Sequence, residues 1–401
     1  MKIIPKGIIE KCTRTVGDRS EIDEVMRAIL ITQRAVGNQI LDPYWSWMKS
    51  LPHQLVLVAS TLYVPGLVIG TWVFVSGTDD VKLIAEGSLT FIIAALCPSR
   101  YYFFLMARKD FQKLYIALKT TVCKLITDDS EEKMEQLLKK TRSLAKFMLF
   151  SSNLPLTIYF LAAMWHYVHG EKRTMSKTTS ILMPMRSPYY EIGLFAHTFF
   201  SFEAAFLILV PDMWFVVIML FFCSACDSAA KLLIVEERRN ESKLQYGTRL
   251  NDSLRKFYVA HVKLIDFLDV LNSVFKWLAL VTLISMAVMI CVVLLLITQG
   301  VDLAFLSIAL PAIGELFAYN WFGEQIINKA EKWSLALLNF DWINLSAKDK
   351  KCYYIMVTYM QKKFRMKTAF GSEFSLLTMS TCVKGGYQAF TVLQSATHKR
   401  E

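Results

Sequence analysis

"WLALVTLISMAVMICVVLLLIT", residues 277–298, contains no charged side chain. An α-helix rises 1.5 Å per residue and the hydrocarbon core of a bilayer is roughly 30 Å thick, so about 20 apolar residues make a membrane-spanning helix. Working outward, six more long and mostly apolar stretches stand at 51–75, 83–105, 144–167, 189–222, 301–322 and 374–397. The whole chain has the same character: of 401 residues 54% are hydrophobic and 13% aromatic, a higher share than an ordinary soluble domain carries. The expected fold class is therefore all-α, a polytopic membrane protein with seven transmembrane helices. The opening "MKIIPKGIIEKCTRTVGDRS" lacks the sustained apolar core of a signal peptide, so the first span is expected to act as the insertion signal.

Lys and Arg concentrate in loops on the cytoplasmic side. Lys2, Lys6, Lys11, Arg14, Arg19, Arg27, Arg34 and Lys49 precede the first span, and the stretches after the second span, at 231–269 and at 323–373 are similarly basic. The links at 76–82 and 299–302 hold one Lys between them, and the 168–188 loop is modestly basic. A cytoplasmic N-terminus and an extracellular C-terminus follow, opposite to a G-protein-coupled receptor. No Asp-Arg-Tyr-like triplet ends the third span and no Asn-Pro-x-x-Tyr lies in the seventh. The sequons at Asn240, Asn251 and Asn344 all fall in loops assigned to the cytoplasm, so glycan on any of them would overturn this orientation.

Catalytic and metal-binding patterns are missing. Cys223 and Cys226 form a C-x-x-C without a second pair or a His at metal-ligand spacing, and they read as packing residues. The six histidines are scattered, and neither a Walker loop, nor G-x-S-x-G, nor a convergent carboxylate pair occurs. No enzyme, cofactor or metal is expected. The net charge of +11 comes from inner loops, which suit anionic lipid rather than nucleic acid.

Charges inside spans are costly and face protein or water. They are Glu86, Arg100, Glu203, Asp212, Lys276, Glu315 and Lys384. Arg100 and Lys276, near inner span ends, are expected to snorkel to the interface. Glu203 and Asp212 lie deeper and need a partner or a wet cavity, for either a structural or a functional purpose. No internal repeat of the kind secondary transporters show is present.

The inner segments read as helical. Met134, Leu137, Leu138, Leu144 and Phe147 recur at helical spacing behind Asp128, Asp129 and Ser130, so the third span should begin in the cytoplasm. "GEQIINKAEKWSLALLNF" should continue the sixth span inward, and a further helix should follow Ser346 as cap. Such helices suit an assembly platform or a membrane-surface layer.

In the last span Ser380, Lys384, Gln388, Thr391 and Ser395 recur at steps of three or four and share one helix face. That face must meet water, a partner subunit or a neighbouring helix, and Gly385 and Gly386 permit close approach.

From Glu315 to the end the sequence resembles insect odorant receptors. The resemblance rests on the aromatic end of the sixth span (Phe317, Tyr319, Trp321, Phe322) before Gly323-Glu324, an aliphatic helix leading to Trp342, and a basic inner helix. Lys384, Tyr387 and Phe390-Thr391-Val392-Leu393 complete it. Leu182, Pro184, Pro188, Tyr189 and Asp212 upstream are similar to the family as well. Gustatory receptors, the sister group, end in Thr-Tyr, five hydrophobic residues and Gln-Phe. Here Tyr387 follows Gly386, six residues separate it from Gln394, and Ser395 comes next. The family's shared co-receptor has a longer inner loop between spans four and five than 231–269.

The resemblance therefore implies a ligand-specific tuning subunit that assembles with the co-receptor as a heterotetramer. It implies an odorant-gated, non-selective cation channel in the plasma membrane of sensory-neuron dendrites, needing no G protein. A gustatory-type homomeric channel and a secondary transporter are the rival readings. The implied layout is a cytoplasmic segment at 1–50, helices one to six at 51–322 with the ligand pocket in their outer half, a cytoplasmic helical assembly segment at 323–373, and a pore helix at 374–401. A pocket for small, volatile, apolar ligands would be lined by Gly87, Thr90 and Phe91 on span two and by Leu156, Tyr159, Phe160 and Ala163 on span three. Span four would give Phe199, Phe202, Ala205 and Phe206, and span five Met289 and Val293. Gln388, Thr391, Val392 and Ser395 would line the pore, with Val392 as gate.

Overall fold

Long uninterrupted apolar runs bounded by capping residues give helices far longer than a bilayer requires. A computed structural model describes residues 29, 31–33, 47–78, 80–172, 184–239, 241–300, 309–360 and 364–398. In chain order the helices are α1 (Trp47–Ser76), α2 (Val81–Met106), α3 (Arg108–Ala117), a π-helical turn (Leu118–Cys123), α4 (Lys124–Asp129), α5 (Glu131–Val168), α6 (Tyr189–Lys231), α7 (Lys243–Thr298), α8 (Ala309–Leu338), α9 (Ala347–Met360) and α10 (Leu376–His398). The seven expected spans fall on α1, α2, α5, α6, α7, α8 and α10. Among the described residues four stretches, Val81–Phe104, Glu131–Val168, Tyr189–Lys231 and Lys243–Thr298, are apolar and long enough to cross a membrane by length and composition. Among the described residues there is no strand, only an isolated bridge between Lys367 and Glu373. Most of 1–50, Leu182, Asn240 and the first residues of the sixth expected span, 301–308, lie outside the described residues.

Local chemistry sets where the long helices begin. Ser130 is the N-cap of α5, its hydroxyl accepting from the Lys133 N–H at 3.3 Å. Ser242 opens α7 in a reciprocal capping box with Gln245. Ser346 accepts from the Asp349 N–H at 3.2 Å as α9 starts. With 56 residues α7 is roughly 84 Å long and α5, with 38, roughly 57 Å. Both extend well past the apolar stretch that a bilayer covers; for α5 this is expected from the sequence, whereas the stretch 243–269 of α7 reads there as a loop.

Two apolar cores divide the bundle. The larger joins α3 to α9, and Leu250, Leu254, Phe257, Leu264, Phe267 and Leu271 feed it from one stripe of α7. Trp333 closes it, its indole N–H donating to the Cys226 carbonyl at 2.8 Å, so the C-x-x-C segment packs as expected. The smaller core gathers Leu89 of α2, Met286, Met289 and Leu296 of α7, Leu316 of α8 and Phe390 of α10.

Candidate functional site: a buried ion cluster, an apolar core and an outward polar helix face

The charged residues of three helices converge at the junction of the two cores. The Arg100 guanidinium, wholly buried, donates through Nη1 to Asp212 Oδ2 at 2.8 Å and to the Ile208 carbonyl at 3.0 Å. Through Nη2 it pairs with Glu315 and donates to Thr282 Oγ1 at 2.6 Å. The Thr282 hydroxyl donates in turn to Glu315 Oε1 at 2.7 Å, and Tyr319 donates to Asp212 Oδ1 at 3.0 Å. On α7 Thr282 falls between Ala279 of the larger core and Met286 of the smaller. On α8 Tyr319 belongs to the larger core and Leu316 to the smaller.

The expectation that Arg100 snorkels is thus wrong: its side chain is 0% exposed. It points into the centre of the bundle because three other helices each bring a polar group to the same level, which no single span reveals. A signal was present, since the seven in-span charges include opposite signs on spans two, four and six. Lys276 is half-buried at the end of the apolar stretch of α7, and its carbonyl accepts from the Ala369 N–H at 3.1 Å. Asp212 has the partner its depth demanded.

The proposed pocket residues are distributed over several environments. Tyr159 of α5 packs against the smaller core, to which Met289 and Val293 of α7 also belong. Gly87 is buried and Thr90 half-buried on α2, its hydroxyl donating to the Glu86 carbonyl at 3.0 Å. Ala163 joins Tyr190 and Leu194 in a small separate cluster, and Phe206 packs against the larger core. Leu156, Phe160, Phe202 and Ala205 are half-buried, whereas Phe91 and Phe199 are exposed.

Helix α10 has two faces. Cys382 Sγ donates to the Leu283 carbonyl at 3.5 Å, and Phe390 is buried in the smaller core. Between them Gly386 lies so close to α7 that a Cβ there would stand 2.9 Å from the Ala287 carbonyl oxygen. These residues step by four and form the seam with α7. Ser380, Lys384, Gln388, Thr391, Val392 and Ser395 are all exposed on the side away from that seam. The start of α10 is held by α8: Gly323 has no side chain because the Phe374 backbone and Cβ fill that space, and Glu324 Oε2 accepts from the Leu376 N–H at 3.2 Å. The Gly-Glu pair noted in the sequence is this clasp.

The 7tm Odorant receptor family matches residues 80–387, more than half of the chain. The chain belongs to the odorant receptor family. The receptor also shares its fold with the insect olfactory receptor OR5 from Machilis hrabei, with a TM-score of 0.71 at 12% identity, covering 93% of this chain and 98% of that one. Against OR5 in complex with eugenol the TM-score is 0.70 at 12% identity, covering 94% and 100%. No curated protein sequence matches the receptor. The family places it among membrane-embedded receptors rather than enzymes, and the resemblance read from the sequence stands.

Proposed function

We propose that the receptor is the odorant-binding, tuning subunit of a heteromeric odorant-gated, non-selective cation channel, assembled with the family's co-receptor in the dendritic plasma membrane of sensory neurons. One observation carries this reading: the last helix turns Gln388, Thr391, Val392 and Ser395 away from its own bundle. A polar face at the rim of a membrane bundle is stable only against water or another subunit, and a shared central pore supplies both. Val392, 67% exposed beside that face, suits an apolar gate closed by exclusion of water.

Further features support the same layout. The basic stretches at 1–50, 231–269 and 323–373 favour a cytoplasmic N-terminus, an inner helical segment and an extracellular C-terminus. On the inner helices Leu335, Leu338, Tyr354 and Ile355 are exposed, as is Ile343 in the turn between α8 and α9, an apolar surface suited to subunit assembly. The eugenol complex of OR5 supports a small odorant as ligand. Ligand would lie among α2, α5, α6 and α7, at the smaller core to which Tyr159, Met289 and Val293 belong, held mainly by buried apolar area at about 25 cal/mol per Å². Thr90 and Tyr159 would supply polar contacts.

Tyr159→Ala and Phe202→Ala are expected to change the rank order of odorants in cells that also express the co-receptor, while current evoked by a co-receptor agonist persists. An unchanged rank order in both variants would contradict the pocket.

A further inference from the structure

We infer that Arg100, Asp212, Tyr319 and Phe374 form a relay that positions the start of α10 according to occupancy of the core above it. This rests on the channel reading just given, and it assigns these residues to gating rather than to contact with ligand or ion. The relay begins where the two apolar cores meet, on α2 and α6, which also carry candidate pocket residues. Two carboxylates share one guanidinium, Asp212 through Nη1 and Glu315 through Nη2. Among the described residues the Arg100 Nε is buried without a hydrogen-bond partner, so the guanidinium retains a donor for a second arrangement.

Tyr319 carries a shift of Asp212 onward. Its hydroxyl holds Asp212, its ring stacks on Phe215 at 4.1 Å between centroids and an interplanar angle of 12°, and it lies 6.2 Å from the Phe374 ring. Phe374 is buried, two residues before α10, and its backbone lies against Gly323 one turn beyond Tyr319 on α8. Glu324 then takes the Leu376 N–H, so α8 and the first turn of α10 move together. A ligand shifts a conformational equilibrium only through different affinity for its two states, and this chain of contacts is where such a difference reaches the last helix.

The test uses cells expressing the full chain with the co-receptor, with surface labelling of each variant. Tyr319→Phe keeps both ring contacts and removes only the hydroxyl, and Asp212→Asn keeps the side-chain shape while removing the charge and one of the two acceptor oxygens. Both are expected to shift the EC50 of every active odorant in one direction by about 5-fold or more with rank order preserved. The double variant should shift it by much less than the product of the single shifts. Normal surface levels with unchanged EC50 values, odorant-specific shifts, or single shifts that multiply would each overturn the relay. Lost surface expression of Tyr319→Phe without an EC50 shift in the channels that remain would assign a structural role instead and also overturn it. Absence of odorant-evoked current in the unmutated pair is a different result, because it refutes the channel reading itself.

Discussion

Arg100 lies between Asp212 and Glu315 where water does not reach, and a charge left there without its partners is strongly destabilising. Asp212→Ala is expected to cost about 3–5 kcal/mol, seen as a lower Tm in detergent and reduced surface expression. Replacing the set together, with Arg100→Met, Asp212→Leu and Glu315→Leu, should restore most of the folding, since apolar side chains of similar volume are often as stable as a buried ion set. A triple variant as unstable as Asp212→Ala would show that packing, not uncompensated charge, dominates there. At this scale the sequence was only half legible. It showed that a charge as deep as Asp212 needs a partner or a wet cavity, but a span read alone cannot tell an arginine that snorkels from one that turns inward. Gly323 was visible only as part of a motif, because its reason, the backbone at Phe374, lies far along the chain.

Most of the elements were legible, an exception being the stretch 243–269, which reads as a loop and folds as the first half of α7. Ser130 and Ser346 mark helix starts because a hydroxyl before an amphipathic run satisfies a free N–H, and both do so. The polar stripe of the last span was legible too, but not the seam opposite it, since nothing local indicates that Gly386 rather than Gly385 meets α7. A Cβ at Gly385 meets nothing within 4 Å, whereas at Gly386 it would press on the Ala287 carbonyl and Ile290. Gly385→Ala should leave stability within about 0.5 kcal/mol, while Gly386→Leu should cost about 1–3 kcal/mol through overpacking. Thermal unfolding in detergent compares them, and equal effects would refute the seam. The junction of α4 and α5 is predicted to respond to acid. Partial burial raises the Asp129 carboxyl, but hydrogen bonds from Lys231, Ser228 and Lys133 outweigh it and hold the group below its ordinary value of 3.8. A depressed value contributes stability that is full above that ordinary value and is lost as pH falls through the lowered one. Protection from hydrogen exchange at 124–134, corrected for the pH dependence of intrinsic exchange, should therefore be high at neutral pH and fall in acid, and Asp129→Asn should flatten that dependence. An unaltered pH profile in the variant would contradict it.

For the whole molecule, the all-helical class and its long apolar helices follow from composition and length, since a bilayer imposes both. The odorant receptor family was legible because its motifs coincide with physical necessities: the clasp of Gly323 and Glu324 on α10, the partnered Asp212, and the polar face from Ser380 to Ser395. The ligand's surroundings were less legible. Aromatic residues at helical spacing, such as Phe199, Phe202 and Phe206, look alike in sequence whether they face lipid, ligand or the larger core, and α6 places Phe199 and Phe206 in different surroundings. Whether this chain gates cations only in company is the decisive question for its function. Inward current should be recorded from cells expressing the chain alone, with the co-receptor, and as a Val392→Ala pair, across a panel of small apolar odorants. Odorant-evoked cation current from the pair, little from the chain alone, and raised resting current with Val392→Ala are the predicted results. Saturable odorant uptake without current, or full current from the chain alone, would contradict it.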